Sequence, residues 1–203
     1  MAFHRLLHCT VAVVLAIFAA PSFAGFSGSY APSNWSTTLT GTPPGGGGAA
    51  VDTSGAPNQI VLIGGDDDCD DDCELQYTTS VAATGTLSFN WSYSTTDVDG
   101  PEYDVFIILH DGSREQLSDD AGPATQSGSK SLNVSAGDTF GFALNCEDCI
   151  EGAAEVTISA FNAPEPAVAT EATAVPTLPL WGLALLTLLL LVIVASQRRH
   201  LKY

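Results

Sequence analysis

The chain has 203 residues, 23 of them acidic and six basic, for a formal net charge of −17. Every acid lies between Asp52 and Glu171, where only Arg114 and Lys130 oppose them, so that segment carries 2 − 23 = −21. Such a surface repels nucleic acid and anionic lipid headgroups and attracts divalent cations. With Gly, Ser, Thr and Ala abundant, it fits a secreted β-rich protein and no nucleic-acid binder.

Residues 1–24 read as a secretory signal peptide. His4, Arg5 and His8 make a polar, weakly basic start, Thr10 to Ala20 is apolar, and Ser22-Phe23-Ala24 is a small-x-small cleavage site before Gly25. The apolar core is short and the cleavage site follows at once, which disfavours a first transmembrane helix. Export by Sec and cutting by signal peptidase are implied. Cys9 leaves with this segment. Cys69, Cys73, Cys146 and Cys149 remain, an even number in a compartment that permits disulfides.

Residues 25–162 alternate and turn like an all-β domain, and these 138 residues suffice for one core. Strands are expected at 37–40, 59–63, 75–80, 85–93, 103–109, 129–134, 139–144 and 154–161. The run GTLSFNWSY puts Leu87, Phe89 and Trp91 on one face and Ser88, Asn90 and Ser92 on the other. YDVFIIL, from Tyr103, is β-branched and aromatic and reads as a central strand. His110-Asp111-Gly112-Ser113 and Ser135-Ala136-Gly137-Asp138 are turn signals. Gly45 to Gly48, after Pro43-Pro44, reads as a flexible loop. No lysine or Walker pattern follows it, so it is no phosphate loop. Seven to nine short strands with Gly-rich turns predict a single β-sandwich or jelly roll.

Three groups of side chains are candidate sites. Gly64 to Glu74 reads GGDDDCDDDCE. Hard cations want carboxylate oxygen, which allows Ca²⁺ capture here. The run lacks the glycines at fixed steps that calcium loops need, so a solvated acidic loop pinched by a disulfide is the expectation. Cys69-x₃-Cys73 and Cys146-x₂-Cys149 fit two disulfides or a four-sulfur zinc site. Export and the crowded carboxylates favour oxidation, with each pair closing its own loop, though a crossed pairing fits the spacing as well. Redox catalysis at Cys146 and Cys149 is disfavoured, because the adjacent acids raise a thiol's pKa. Asp97, Asp99 and Asp104 alternate through a turn into the next strand. With Asp148 from a distal loop they form a candidate Ca²⁺ site, against the plainer reading that Asp and Gly favour turns. No catalytic constellation stands out. His110 is the one histidine of the segment, and its neighbours Asp111 and Ser113 do not make a triad. Paired carboxylates for glycoside hydrolysis are not distinguished. Trp35 and Trp91 are core or carbohydrate-stacking residues.

Residues 163–174 are Pro, Ala, Thr and Glu without periodicity, which predicts a disordered linker. The tail, 175–203, follows. Leu180 to Ser196 carries no charge over seventeen residues, about 25 Å of helix. A transmembrane helix is expected at about 179–196, with Trp181 at its outer boundary and the basic tail 198–202 (Arg198, Arg199, His200, Lys202) on the cytoplasmic side.

Val175-Pro176-Thr177-Leu178, then Trp181-Gly182, a leucine-rich span and Arg198-Arg199 resemble the IPTLS-CTERM sorting signal, a relative of the PEP-CTERM signal of Gram-negative bacteria. The family begins with Ile and carries Ser-Glu before the Trp, where this chain has Val175 and Pro179-Leu180. The resemblance implies an exosortase-type membrane transpeptidase that cuts near Val175-Pro176-Thr177. It also implies an inner-membrane, single-pass intermediate bound for the outer surface or extracellular matrix, with exopolysaccharide as a partner. A permanent single-pass anchor is the alternative on membrane physics alone. The stretch from Phe89 to Phe161 is similar to secreted β-sandwich domains found upstream of such signals, through Tyr103-Asp104 and the Gly137–Phe142 strand. Tyr103-Asp104, Asp111-Gly112 and the terminal strand also give it a faint likeness to CUB domains, whose acidic residues bind calcium. The expectation is therefore an exported, non-enzymatic surface or matrix protein. A calcium-dependent carbohydrate-binding module is the alternative, and a secreted polysaccharide hydrolase comes third.

Overall fold

A computed structural model describes residues 25–69, 72–147 and 149–167, and Leu185, Thr187, Leu188 and Val192 in the tail. The chain divides into two units, Met1–Pro166 and Ala167–Tyr203. The first holds ten strands: β1 (Ser36–Thr40), β2 (Ala50–Asp52), β3 (Gln59–Ile63), β4 (Cys73–Ser80), β5 (Gly85–Thr95), β6 (Asp104–His110), β7 (Ser113–Gln116), β8 (Thr125–Val134), β9 (Thr139–Cys146) and β10 (Ala154–Asn162). They form two five-stranded antiparallel sheets, β1-β4-β9-β6-β7 and β2-β3-β10-β5-β8. The expected all-β sandwich is what forms.

Alternation decides which faces meet. On β5, Leu87, Phe89 and Tyr93 are buried and Asn90, Ser92 and Ser94 are exposed. On β9, Phe140, Phe142 and Leu144 turn inward. Strand β10 begins with Ala154, Val156 and Ile158 inward and would then bury even-numbered residues only. It breaks phase instead: Ser159 pairs with Asn90 but Asn162 with Ser88, so β10 has one residue more than β5 over that stretch. Ala160, at φ 48°, takes up the extra residue. The bulge brings Phe161 and Ala163 into the core.

Trp35 organises the aromatic centre. Its ring stacks on Tyr77 at 4.7 Å and on Phe142 at 5.8 Å. Its indole Nε1 donates to the Tyr30 carbonyl at 3.0 Å. Phe26 stacks on Phe161 at 4.7 Å. Residues 26–35, before the first strand, thus fill the core with Phe26, Tyr30 and Trp35. Trp91 is partly buried on the inner face, its indole over Gly128 of β8 and 5.7 Å from Phe106. Both tryptophans are core residues, and neither is an exposed stacking platform.

Several boundaries differ from expectation. Asp111 and Gly112, at φ 46° and 80°, make the expected two-residue turn, and His110 pairs with Ser113 across it. Beyond the turn lies β7, an edge strand with no apolar residue and hence no alternation to read. Strand β8 starts four residues earlier than expected, because Gly128 interrupts its pattern. Strand β2, three residues long, lies where the sequence pattern predicts no strand.

Residues 163–165, expected to open the linker, pack against the body instead. Ala163 and Pro164 are buried, Tyr30 Oη donates to the Pro164 carbonyl at 3.0 Å, and the Ser29 amide donates to Glu165 Oε1 at 2.9 Å. A proline cannot extend β10, but its carbonyl still accepts, and its ring fills space beside Gly85. The remainder, from residue 168, lies outside the described residues. So do the expected signal peptide and nearly all of the expected transmembrane span. Leu185, Thr187, Leu188 and Val192 are helical. Among the described residues no helix is long and apolar enough to cross a membrane.

Two substitutions test this packing. Trp35→Ala should cost about 3–5 kcal/mol of stability in urea melts, since it empties the stack on Tyr77 and Phe142. Tyr30→Phe should cost about 1–3 kcal/mol, because the hydroxyl both donates to Pro164 and accepts from the Ala82 amide at 3.0 Å.

Candidate functional site

The outer face of the first sheet carries a varied set of polar groups. Register lines Thr40, Glu74, Asn145 and Val105 up across β1, β4, β9 and β6. The next row is Thr38, Gln76, Ala143, Ile107 and Gln116. At about 4.8 Å per strand step, the first row spans about 14 Å. Over these rows lies a groove of roughly 510 Å³, lined by Thr40, Asp72, Glu74, Val105, Ile107, Arg114, Gln116 and Asn145.

Glu74 anchors the groove. Its inward neighbours Leu75 and Tyr77 are core residues, so alternation sends Glu74 and Gln76 outward. The carboxylate is nonetheless only 7% exposed. Arg114 of β7 reaches it across β6 and β9: Nη1 donates to Oε1 at 3.0 Å and Nη2 to Oε2. Gln76 Nε2 also donates to Oε1. On this face of β9, Gly141 and Ala143 stand between Thr139 and Asn145, and such small side chains leave the arginine room to cross. Hydrogen bonding to Glu74 raises the guanidinium pKa further above its ordinary value. Both carboxylate oxygens are engaged, so Glu74 organises the groove.

The cysteines gather at one corner of the same sheet. Cys69–Cys73 and Cys146–Cys149 are disulfides with Cα–Cα separations of 6.3 and 5.2 Å, each closing its own loop. Cys73 and Cys146 face each other across the β4–β9 ladder. The loop read as flexible, Gly45 to Gly48, covers this corner. Gly45 and Gly46 are buried, and all four glycines have φ between 65° and 79°. A Cβ on Gly46 would overlap Cys149 Sγ and come within 2.8 Å of Cys146 Sγ. Gly46 and Gly47 accept from the amides of Asp67 and Asp66 at 2.7 and 3.1 Å. Within the run, Gly46 serves close approach to sulfur, a role that cysteines 20 or more residues away in sequence do not announce. Asp66, Asp67, Asp68 and Asp72 are exposed, and Asp66 Oδ1 accepts from the Gly152 amide at 2.9 Å. Asp70 and Asp71 lie outside the described residues.

Of the expected Ca²⁺ ligands, the described three, Asp97, Asp99 and Asp104, do not converge. Asp97 Oδ1 accepts from the amides of Asp99 and Gly100 at 2.7 and 3.3 Å, closing its own turn. Asp104 is 1% exposed and its Oδ2 accepts from Thr95 Oγ1 at 2.5 Å. Thr95 Oγ1 in turn accepts from the Asp97 amide at 3.0 Å. These bonds fix the β5–β6 connection, and Asp99 stays exposed. Among the described residues, the three-ligand group found within 4.8 Å is Cys69, Cys73 and Cys149, not these aspartates. Asp148 lies outside the described residues. Burial, then the charge of Asp104, pushes the nearby Tyr93 hydroxyl pKa up strongly. His110 Nε2 lies 3.1 Å from Asp138 Oδ2, which ties the β6–β7 hairpin to the turn before β9. The sorting residues Val175, Pro176, Thr177, Leu178, Trp181, Gly182, Arg198 and Arg199 all lie outside the described residues.

No protein-family model and no curated protein matches this chain. Solved structures with a similar arrangement include the two-part mannanase of Podospora anserina, which joins a glycoside hydrolase to a carbohydrate-binding module, at 16% identity and a TM-score of 0.33. It covers 66% of this chain, which spans 29% of it. The N-terminal cellulose-binding domain of a Cellulomonas fimi glucanase matches at 12% identity and a TM-score of 0.34, over 68% of this chain and 91% of its own. A carbohydrate-binding module of a Zobellia galactanivorans laminarinase matches at 16% and 0.29, over 62% and 99%. At these values none assigns a function or a residue role here.

The Glu74–Arg114 pair predicts a definite mutational pattern. Arg114→Ala should cost about 1–3 kcal/mol in urea melts. That is less than for a fully enclosed pair, because the arginine side chain is 45% exposed and solvent screens it. In a double-mutant cycle, Glu74→Gln with Arg114→Gln should lose less than the two single changes summed.

Proposed function

We propose that the chain is an exported surface or matrix protein whose sandwich binds neutral polysaccharide, without catalysis, in the groove on the outer face of its first sheet. One observation carries the binding reading: the groove combines a hydroxyl, two carboxylates, a guanidinium and two amides with the aliphatic faces of Val105 and Ile107. Sugars present the same mixture, hydroxyls that donate and accept around a ring with apolar C–H faces. The groups stand on strands of one sheet, so their spacing is held before any ligand arrives. A net charge of −21 between Asp52 and Glu171 disfavours uronate-rich or sulfated chains, which restricts the ligand to uncharged glycans.

The surface destination rests on the tail. The Pro176-Thr177-Leu178, Trp181-Gly182 and Arg198-Arg199 pattern supports handling by an exosortase-type enzyme after a Sec-dependent start. Calcium is not required at this groove.

A hydrolase is the second reading, because Asp72 and Glu74 line one groove. The bidentate engagement of Glu74 by Arg114 speaks against it.

Affinity electrophoresis through gels containing neutral or anionic polysaccharide tests the proposal. At least one neutral glycan should retard the protein, with or without chelator, and anionic gels should not. Gln116→Ala and Asn145→Ala should each weaken retardation by about three- to tenfold, the worth of one hydrogen bond. Loss of retardation in every neutral gel, equal retardation of all variants, or release of reducing sugar would overturn it.

A further inference from the structure

The four cysteines stand closer together than two independent disulfides require. None is more than 8% exposed, and they form a cluster separate from the aromatic core. The sulfurs of Cys69, Cys73 and Cys149 all lie within 4.8 Å of one another, and Cys146 is bonded to Cys149. Strands β4 and β9 deliver Cys73 and Cys146 side by side, and a short loop returns the second cysteine of each pair to the same point. The separations, C-x₃-C and C-x₂-C, fall within the range of structural zinc sites.

We infer that, before its disulfides close, this cluster is a four-thiolate site for a thiophilic divalent cation, Zn²⁺ foremost. Sulfurs about 2.3 Å from a central tetrahedral ion are about 3.8 Å apart. Cys69, Cys73 and Cys149 already lie within a 4.8 Å limit, and Cys146, outside that group, must turn inward once its bond to Cys149 is open. Gly41 and Gly46 wall the site without side chains of their own, and a Cβ on either would meet a cysteine sulfur. The chain also supplies a reason for a cation. Asp68, Asp72 and Glu147 flank the cysteines in sequence, and their negative charge favours a cation nearby.

Metal and disulfides are alternative occupants of the same sulfurs. Loading converts four thiols and one Zn²⁺ into a tetrathiolate complex and releases four protons, with no electron transfer. Oxidation then proceeds by exchange with a disulfide-bearing oxidoreductase. One thiolate attacks its disulfide, the neighbouring thiolate displaces the resulting mixed disulfide, and the oxidant leaves as a dithiol. Two such exchanges close both native bonds and free the metal.

Cobalt makes the site visible. The full-length chain in detergent, reduced and kept from oxygen, should bind one Co²⁺. Its spectrum should show tetrahedral ligand-field bands and thiolate-to-cobalt charge transfer, and one equivalent of Zn²⁺ should abolish both. The oxidised chain should show neither. Cys69→Ser and Cys146→Ser should each lower the charge-transfer intensity by about a quarter, one sulfur in four. If reduction alone unfolds the body, Zn²⁺ should restore its circular dichroism. A weak octahedral spectrum from surface carboxylates, bands unchanged in the serine variants, or neither charge transfer nor refolding would overturn the inference. None of these readouts involves polysaccharide.

Discussion

Between Asp52 and Glu171 the chain has two basic residues with which to oppose 23 acids, and both act on the same edge strand. Arg114 ties β7 back across its own sheet to Glu74. Lys130, on the edge strand β8 of the other sheet, pairs with Glu115 of β7. A four-residue strand with no buried side chain has little hydrophobic reason to stay in place. Its position therefore leans on these two cations and on the ladder to β6. The groove inherits that dependence, since Arg114 and Gln116 form its far wall. Salt should loosen the Lys130–Glu115 contact, which involves a glutamate 55% exposed, before the half-enclosed Arg114–Glu74 contact.

The rest of the body is held by apolar contact. Trp35, Tyr77, Phe142 and Phe161 fill the space between the sheets, while the sulfur corner lies apart from them under the Gly45–Gly48 loop. The two regions share strands β4 and β9 and little else. Each of those strands begins or ends at a cysteine and turns a polar residue, Glu74 or Asn145, toward the groove, so the disulfides and the groove occupy one pair of neighbouring strands.

What could be read from the sequence depended on local periodicity. Strands β5, β6, β9 and β10 alternate or run apolar, and each was placed to within two residues. The bulge at Ala160 was illegible, because Ser159-Ala160-Phe161 looks like continued alternation until the register with β5 is known. The glycine run looked like slack for the same reason: a residue without a side chain records nothing about its neighbours. Glu74 and Arg114 left a fainter signal. Two cations in so acidic a segment must find partners, and Glu74 sits at an outward step of a strand whose inward steps Leu75 and Tyr77 are apolar, yet 40 residues separate it from Arg114. At positions 97, 99 and 104 the sequence does not separate turn-making from metal-binding, because both use the same side chain.

The clasp between residues 29–30 and 164–165 has a mechanical meaning. Tension applied beyond residue 166 reaches Glu165 and Pro164 first and passes to Ser29 and Tyr30 before it loads β10. Strand β10 is itself bonded on both sides, to β3 and β5. It cannot be peeled from a free edge and must be sheared against two ladders at once. A protein pulled by its carboxyl end in flowing water would thus meet its stiffest resistance at the first strand the force encounters.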